Sequence, residues 1–132
     1  MSSELVLDEL TGRGSAGSIA VTAEGGTVTT NLQQGLAKHW VFFKGTDTFT
    51  RLDSFNSSTL VDDDTAIHTT NFTVNFENAN YASSLSLGHT NISNGWGMIE
   101  EANTARATSS LQVTNYNGDF VVNSIILHGD LA

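Results

Sequence analysis

Residues 35–58 read GLAKHWVFFKGTDTFTRLDSFNSS, and this stretch concentrates two kinds of side chain that are scarce elsewhere in the chain. The sequence of 132 residues contains 2 Trp, 2 Tyr and 7 Phe, of which five lie here, together with three of its five basic residues. This concentration fits either a binding site or the centre of a core. The run from His39 to Lys44 favours the core, because a compact apolar run bounded by turn residues is typical of a strand buried on both faces.

We therefore interpret the aromatic residues of this stretch as core and subunit-contact residues on successive strands: Trp40, Phe42, Phe43, Phe49 and Phe55. The three cations are expected at strand ends and edges, where an acidic protein can pair them within or between subunits: Lys38, Lys44 and Arg51. His39 is interpreted as a strand residue with a satisfied ring nitrogen.

Further strands follow on the C-terminal side of this stretch. Residues 71–76 alternate apolar and polar side chains, which predicts a strand with one solvated face. Residues 81–87 alternate in the same way, so a hairpin through the intervening turn is the simplest interpretation. Residues 119–128 are apolar on both faces, which predicts a central strand or one covered by a partner. Helix signals are weak, and residues 97–106 could form one or two helical turns at most.

Residues 1–34 have a different composition from the rest, with many small side chains and glycines. Two short β-like pieces, around Ser18–Thr22 and Thr27–Thr30, predict a hairpin that is marginal by itself. We expect an N-terminal arm over residues 1–34 that docks on the following domain or on a neighbouring subunit, and a β domain over residues 35–132. The arm residues expected to contact a partner are Leu5, Val6, Leu7 and Leu10.

The overall pattern predicts the fold class. Many short strands separated by Gly and Asn turns, with no alternation of strands and helices, indicate an all-β protein. We predict a single β-sandwich or jelly-roll-like domain of roughly eight strands, preceded by the extended arm.

Charge and composition narrow the partners. Fourteen acidic residues against five basic ones give a formal net charge of −9, so the chain should repel nucleic acid and anionic membranes. Without cysteine the chain has no disulfide and no thiolate nucleophile. The N-terminal segment is acidic and has no continuous apolar run, and no stretch is long and apolar enough to span a membrane. We expect a soluble protein made in a cytoplasm, with neither nucleic acid nor a membrane as partner.

The densest charge run is the candidate metal site. Asp62, Asp63 and Asp64 could supply oxygen ligands to Ca²⁺, with Asp53 or Thr65 completing the shell. The run lacks the spacing of an EF-hand loop, so a solvated turn between two strands is the favoured interpretation. The four histidines occur singly, which gives no zinc signature. No bound cofactor or metal is therefore expected.

Enzymatic motifs are not found either. The sequence contains no nucleophile elbow, no phosphate-binding loop and no convincing pair of carboxylates for glycoside hydrolysis. The aromatic residues Trp40, Trp96, Tyr81 and Tyr116 could form a platform on which sugars stack. Trp96, which lies between two glycines, is the best candidate for an exposed glycan contact.

Several strings together resemble one family. They are GLAKxWVxFxG at 35–45, DSFNxS at 53–58, TVNF at 73–76, NANY at 78–81, the terminal GDLA, and an LTG-to-EGG pattern at 10–26. They resemble short virion proteins of marine tailed bacteriophages that are often labelled tail-fibre-like. His39 stands where small residues are common in that family, and Asp62–Asp64 lie where a Gly-containing turn is common.

The resemblance implies a non-enzymatic, β-rich virion component, assembled as a homotrimer. Its expected place is the virion surface, after synthesis in the host bacterial cytoplasm. We favour a capsid decoration, or cement, protein that contacts the major capsid protein or other virion proteins, because 132 residues contain no long repetitive shaft. The alternatives are a short tail or head fibre that binds a host surface glycan, and a free carbohydrate-binding module.

Overall fold

The computed structural model describes residues 5–14, 19–22, 26–88, 97–100, 106–116 and 118–132. The chain divides into two compact units, residues 1–35 and 36–132. Strands dominate the second unit, the first contains a short hairpin and one helical turn, and the all-β prediction is confirmed.

The first unit contains a short antiparallel hairpin. Strand β1 (Ala20–Thr22) pairs with β2 (Thr29–Asn31), with Val21 opposite Thr30. A single helical turn, α1 (Leu32–Gly35), follows directly, and the Leu32 N–H donates to the Ile19 carbonyl at 2.9 Å. Both strands are mostly exposed.

Eight strands make up the second unit, and they form two four-stranded antiparallel sheets. They are β3 (His39–Lys44), β4 (Thr50–Phe55), β5 (Ser57–Asp64), β6 (Ile67–Phe72), β7 (Ala82–Gly88), β8 (Met98–Glu100), β9 (Ser110–Asn115) and β10 (Val122–His128). The first sheet has the order β4-β3-β10-β7 and the second has the order β5-β6-β9-β8. Strand β10 lies between β3 and β7, so the predicted central position of the last strand is confirmed.

Four details differ from the sequence-based predictions. Strand β3 buries only His39, Val41 and Phe43, and its other face is partly exposed. The strand predicted over 71–76 ends at Phe72. The expected hairpin with 81–87 does not form, because β7 pairs with β10 in the other sheet. Residues 98–100, placed in a weak helix by the sequence, form strand β8 instead.

One hydrophobic core takes side chains from both sheets. Its fully buried members are Val41, Phe43, Phe72, Phe76, Tyr81, Leu111, Val113, Ile125 and Leu127, with Phe49, Leu60, Leu85 and Met98 packed against them. Aromatic edge contacts connect Phe72 with Phe76 and Tyr81 at ring-centroid distances of 5.1 and 5.9 Å. Such pairs stabilise a core beyond the area they bury.

Buried polar side chains also connect the two sheets. His39 of β3 lies 3.2 Å from the Thr70 hydroxyl of β6, through its ring Nε2. Asn115 of β9 donates to the Asn123 side chain of β10 at 3.0 Å. The His39 ring also has Nδ1 within 3.1 Å of the Asn56 carbonyl, so the prediction of a satisfied ring nitrogen is confirmed.

Candidate interaction surfaces

The outer face of the first sheet carries a row of large apolar side chains. Cross-strand register places Phe55 of β4 opposite Trp40 of β3, and Trp40 opposite Ile126 of β10. Phe42 lies one row further along β3 on the same side. We call these four residues the aromatic face. Phe55 is 50% exposed, and Phe42 and Ile126 are each 37% exposed.

Polar side chains border the aromatic face. In the row that contains Phe42, Asp53 of β4 lies on one side and Ser124 of β10 on the other. Ser124 is in turn paired with Ser86 of β7. An apolar row beside hydroxyls and one carboxylate suits contact with another protein surface or with the faces of sugar rings.

The second sheet has an outer face of a different kind. Its central rows are Thr59, Asn71 and Ser110, and then Val61, Thr69 and Gln112. These polar side chains bond to one another: Asn71 donates to the Thr59 hydroxyl at 2.9 Å and Gln112 to the Thr69 hydroxyl at 3.3 Å. Because these polar side chains are hydrogen-bonded to one another, this part of the face is suited to contact with solvent. The next row contains Ile67, Thr114 and Ile99, of which Ile99 is 56% exposed. The first sheet thus presents aromatic side chains outwards, and the second presents polar and aliphatic ones.

The arm residues predicted to contact a partner lie in the first unit, and all of them are exposed. Leu5 and Val6 are each 80% exposed, Leu7 is 52% and Leu10 is 55% exposed. Four large apolar side chains within six positions form an exposed apolar segment, a feature that marks interaction sites.

The Asp62–Asp64 run lies at the end of β5, just before the turn to β6. Its three carboxylates face different partners. Asp63 accepts from the Thr69 hydroxyl at 2.5 Å, and Asp64 accepts from the Thr65 N–H at 2.7 Å. Among the described residues, no group of three His, Cys, Asp or Glu side chains is arranged to hold a metal ion. Asp62 faces His68 instead of its neighbouring aspartates.

His68 of β6 is fully buried between two carboxylates and two rings. Its Nδ1 lies 3.5 Å from Asp62 Oδ1 and its Nε2 lies 3.6 Å from Asp119 Oδ1. Both distances exceed those of ordinary hydrogen bonds, about 2.7–3.2 Å. The ring stacks on Phe49 at 5.3 Å and meets Phe43 edge-on at 5.2 Å. Burial lowers the pKa of His68, although Asp119 and Asp62 act in the opposite direction.

A second ionic cluster joins β7 to β8. Arg106 binds both oxygens of Glu100, and the Ser83 hydroxyl also donates to Glu100. The guanidinium lies over the Tyr81 ring, 5.1 Å from its centroid. Burial tends to raise the pKa of Glu100, but the hydrogen bonds from Arg106 and Ser83 hold it below its usual value. Burial raises the pKa of Tyr81 to about 12.

A shallow recess of about 310 Å³ opens between β4 and β5. It is lined by Phe49, Arg51, Ser58, Thr59 and Leu60. The Arg51 guanidinium donates to the Ser57 and Ser58 carbonyls at 3.0 and 3.3 Å. Arg51, the cation that lines the recess, is therefore engaged by backbone carbonyls of this chain at the start of β5.

The predicted sugar platform does not assemble from the described residues. Tyr81 is buried in the core, Tyr116 is 63% exposed on its own, and Trp40 belongs to the aromatic face. Trp96 lies outside the described residues. The sequence did not indicate the aromatic face, because outward and inward aromatic residues alternate along 39–44 and their direction depends on strand register.

Comparison with known proteins gives no relative. No family model, no curated protein and no solved structure matches this chain. In the described part of the chain, no helix has the length and apolar character needed to cross a membrane.

Proposed function

We propose that this chain is a non-enzymatic structural protein of a bacteriophage particle, and specifically a homotrimeric capsid decoration protein on the virion surface. In this role it contacts the major capsid protein or another virion protein. The protein is made in the cytoplasm of the host bacterium and functions on the assembled particle. The observation that carries the proposal is the exposed aromatic face, together with the sequence motifs that resemble phage virion proteins.

The aromatic face supports an assembly role because of its contrast with the second sheet. Phe42 and Phe55 are exposed in water, whereas the described residues on the corresponding face of the second sheet are polar or aliphatic, with Val61 39% and Ile99 56% exposed. Aromatic residues are enriched at protein interfaces, and exposed patches of this kind mark interaction sites. The exposed arm residues form a second apolar surface: Leu5, Val6, Leu7 and Leu10.

We further propose that the two four-stranded sheets form a β-sandwich. Support comes from the single core cluster, which takes Val41 and Ile125 from the first sheet and Leu111 and Val113 from the second. Side chains that interdigitate between two sheets are the core of such an architecture. A sandwich without disulfides on a particle surface gains durability from oligomerisation, which favours the homotrimer.

Copy number on the particle tests the decoration role. Quantitative mass spectrometry of purified virions should give a copy number comparable to that of the major capsid protein. A copy number that is a small fraction of the capsid count would contradict decoration and would favour a fibre.

A pair of variants tests the surface. Phe55→Ser on the aromatic face should weaken attachment to particles while leaving the melting temperature nearly unchanged, since Phe55 is half exposed. Val61→Ser is the matched control, because Val61 is 39% exposed on the outer face of the second sheet. If both variants attach equally well, the aromatic face is not part of the interface.

A second candidate function is a fibre protein or a free carbohydrate-binding module that binds a neutral glycan. The row Phe55–Trp40–Ile126 beside Asp53 and Ser124 favours it, because aromatic ring faces and adjacent hydrogen-bonding groups are what sugar recognition requires. Binding on a glycan array that is lost in Trp40→Ala would support it. Loss in Trp96→Ala alone would place the contact where the sequence predicted it.

A further inference from the structure

Four strands form the edges of the two sheets, and edge strands expose unpaired backbone groups that can pair with another chain. They are β4, β5, β7 and β8. Proteins commonly protect such edges with bulges, charged side chains or very short strands. The four edges of this protein differ in how far they are protected.

Two of the edges are bulged and charged. Strand β4 carries Arg51 and Asp53, and its pairing with β3 shifts register between Phe42 and Phe43. Strand β5 has two register shifts against β6 and ends in three aspartates. A strand added to either edge would meet an irregular backbone and charged side chains.

The third edge is short. Strand β8 has only three residues and includes Glu100, which is engaged with Arg106. It offers little backbone for another strand.

Strand β7 has none of these protections. It has seven residues, pairs with β10 over all of them without a register shift, and contains no charged side chain and no proline. No other described strand pairs with its second side. Near its start, Arg106 donates to the Tyr81 carbonyl and the Ser83 hydroxyl. Within the described part of the chain, the stretch of β7 that stays available is therefore residues 84–88.

We propose that this edge pairs antiparallel with β7 of a second copy of the chain, centred on Ser86. In this register Ser86 lies opposite Ser86 of the other copy, and Leu85 of each copy lies opposite Leu87 of the other. Leucines meet on the side that faces the core, where Leu85 already packs. Serines meet on the outer side, where Ser84 and Ser86 are exposed.

Among the four edges, the uncharged part of β7 is the one best suited to pairing with a second copy. Two chains of net charge −9 repel each other, and like charges directly opposite in a sheet are destabilising. The β4, β5 and β8 edges each carry at least one carboxylate, whereas residues 84–88 of β7 are only Ser, Leu and Gly. An antiparallel pair of identical strands is also self-complementary under twofold symmetry, the commonest symmetry of protein oligomers.

The proposal predicts that the assembly with the β7 pair has twice the mass of the assembly without it. This ratio is the same whether the unit that pairs is a monomer or the proposed homotrimer. Ser86→Lys places two lysines opposite each other and should halve the mass measured by sedimentation equilibrium across a range of concentrations. Lysine also reduces the net negative charge, so general repulsion predicts the opposite effect. Ser58→Lys is the matched control, because it adds the same charge to an exposed position of the protected β5 edge.

The outcomes separate the two proposals. A change from hexamer to trimer supports both, and a change from dimer to monomer supports the β7 pair and overturns the homotrimer. Equal masses for the wild type and Ser86→Lys overturn the β7 pair, whether both are trimers or monomers. Circular dichroism shows whether Ser86→Lys is folded. If it is unfolded, Ser84→Lys takes its place in the mass measurement, with the new lysine opposite Gly88 of the other copy.

The register has its own test, because the chain contains no cysteine. Ser86→Cys should form an interchain disulfide on mild oxidation, since directly opposite Cβ atoms are about 4.5–5.5 Å apart. Ser84→Cys faces glycine and should crosslink much more slowly. Equal crosslinking of the two variants overturns the register centred on Ser86.

Discussion

His39 is a buried histidine with partners at both ring nitrogens. Nδ1 faces the Asn56 carbonyl and Nε2 faces the Thr70 hydroxyl, which suits a neutral imidazole that donates from Nδ1 and accepts at Nε2. Burial lowers its pKa to about 4, although the bond to Asn56 acts in the opposite direction. Burial therefore favours the uncharged form of the side chain that connects the two sheets.

This predicts a loss of stability in acid. The unfolded chain binds a proton at His39 near pH 6.5, but the folded chain does so only near pH 4. As pH falls through this window the unfolded state binds more protons, so the free energy of unfolding should fall by about 3 kcal/mol from this group. Denaturant unfolding at several pH values measures it. His39→Gln should flatten the slope, and an unchanged slope would contradict the assignment.

The buried Asn115–Asn123 pair predicts a non-additive effect of mutation. Asn123 accepts from Asn115 and also donates to the Phe120 carbonyl at 3.1 Å. Asn123→Leu leaves the Asn115 amide unpaired in the interior, which should cost about 1–3 kcal/mol. Adding Asn115→Leu removes the stranded amide, so the double variant should be less destabilised than the sum of the single ones. A double-mutant cycle by chemical denaturation checks this, and strict additivity would show that the two amides are not coupled.

At the scale of elements, Asn56 forms the corner between β4 and β5, and so between the two sheets. Its φ is 55°, a left-handed conformation that asparagine and glycine tolerate better than other residues. Its side chain donates to the Lys38 and Val74 carbonyls at 2.9 and 3.0 Å and accepts from the Val74 N–H at 2.7 Å. One residue thus holds three segments of the chain together.

Two substitutions separate the conformation of Asn56 from its hydrogen bonds. Asn56→Ala should destabilise the fold by about 3 kcal/mol, since it loses the hydrogen bonds and adds left-handed strain. Asn56→Gly loses the same bonds without the strain, so it should be more stable than Asn56→Ala by about 1 kcal/mol. Thermal or chemical unfolding of both variants measures the difference. Equal stability of the two would show that the backbone relaxes away from this conformation.

The same corner explains where sequence-based prediction failed. Phe72, Val74 and Phe76 alternate as in a strand, but the ladder stops at Phe72. The Thr73 N–H instead bonds to the Asn56 carbonyl at 3.1 Å, and both backbone groups of Val74 bond to the Asn56 side chain. This contact is 18 residues away in sequence, so no local pattern could have indicated it.

Long-range pairing also explains what the sequence did and did not predict elsewhere. Residues 119–128 carry apolar side chains on both faces, and that local property predicted a central strand or one covered by a partner, of which the structure shows the first. The partners of β7 and β10 could not be predicted, because alternation assigns a face and does not identify the neighbouring strand. The aromatic face was missed for the same reason, since its row forms only when β4, β3 and β10 align.

At the scale of the whole molecule, the aromatic face and the arm residues Leu5, Val6, Leu7 and Leu10 expose large apolar side chains on an acidic chain. Net charge keeps copies apart, so the contacts that the chain makes must rest on surfaces with few carboxylates. The aromatic face includes Asp53 at its border, and the available part of the β7 edge has no charge at all. The apolar arm residues lie among Glu4, Asp8 and Glu9 in the sequence. This arrangement suits a positively charged partner better than another copy of this acidic chain.

Deletion of the arm tests its role as a docking segment. Removing residues 1–12 takes away Leu5, Val6, Leu7 and Leu10, which are all more than half exposed, so little buried area is lost. The melting temperature of residues 36–132 should stay nearly unchanged, while attachment to particles should fall sharply in a co-sedimentation assay.

A variant with Leu5→Ser and Leu7→Ser in the full-length chain is the matched test, because it retains the backbone and removes only the apolar side chains. Weak attachment of both variants with unchanged melting assigns the arm to the partner. A marked fall in the melting temperature would instead assign these leucines to the stability of the β domain, and would move the expected lattice contact to the aromatic face.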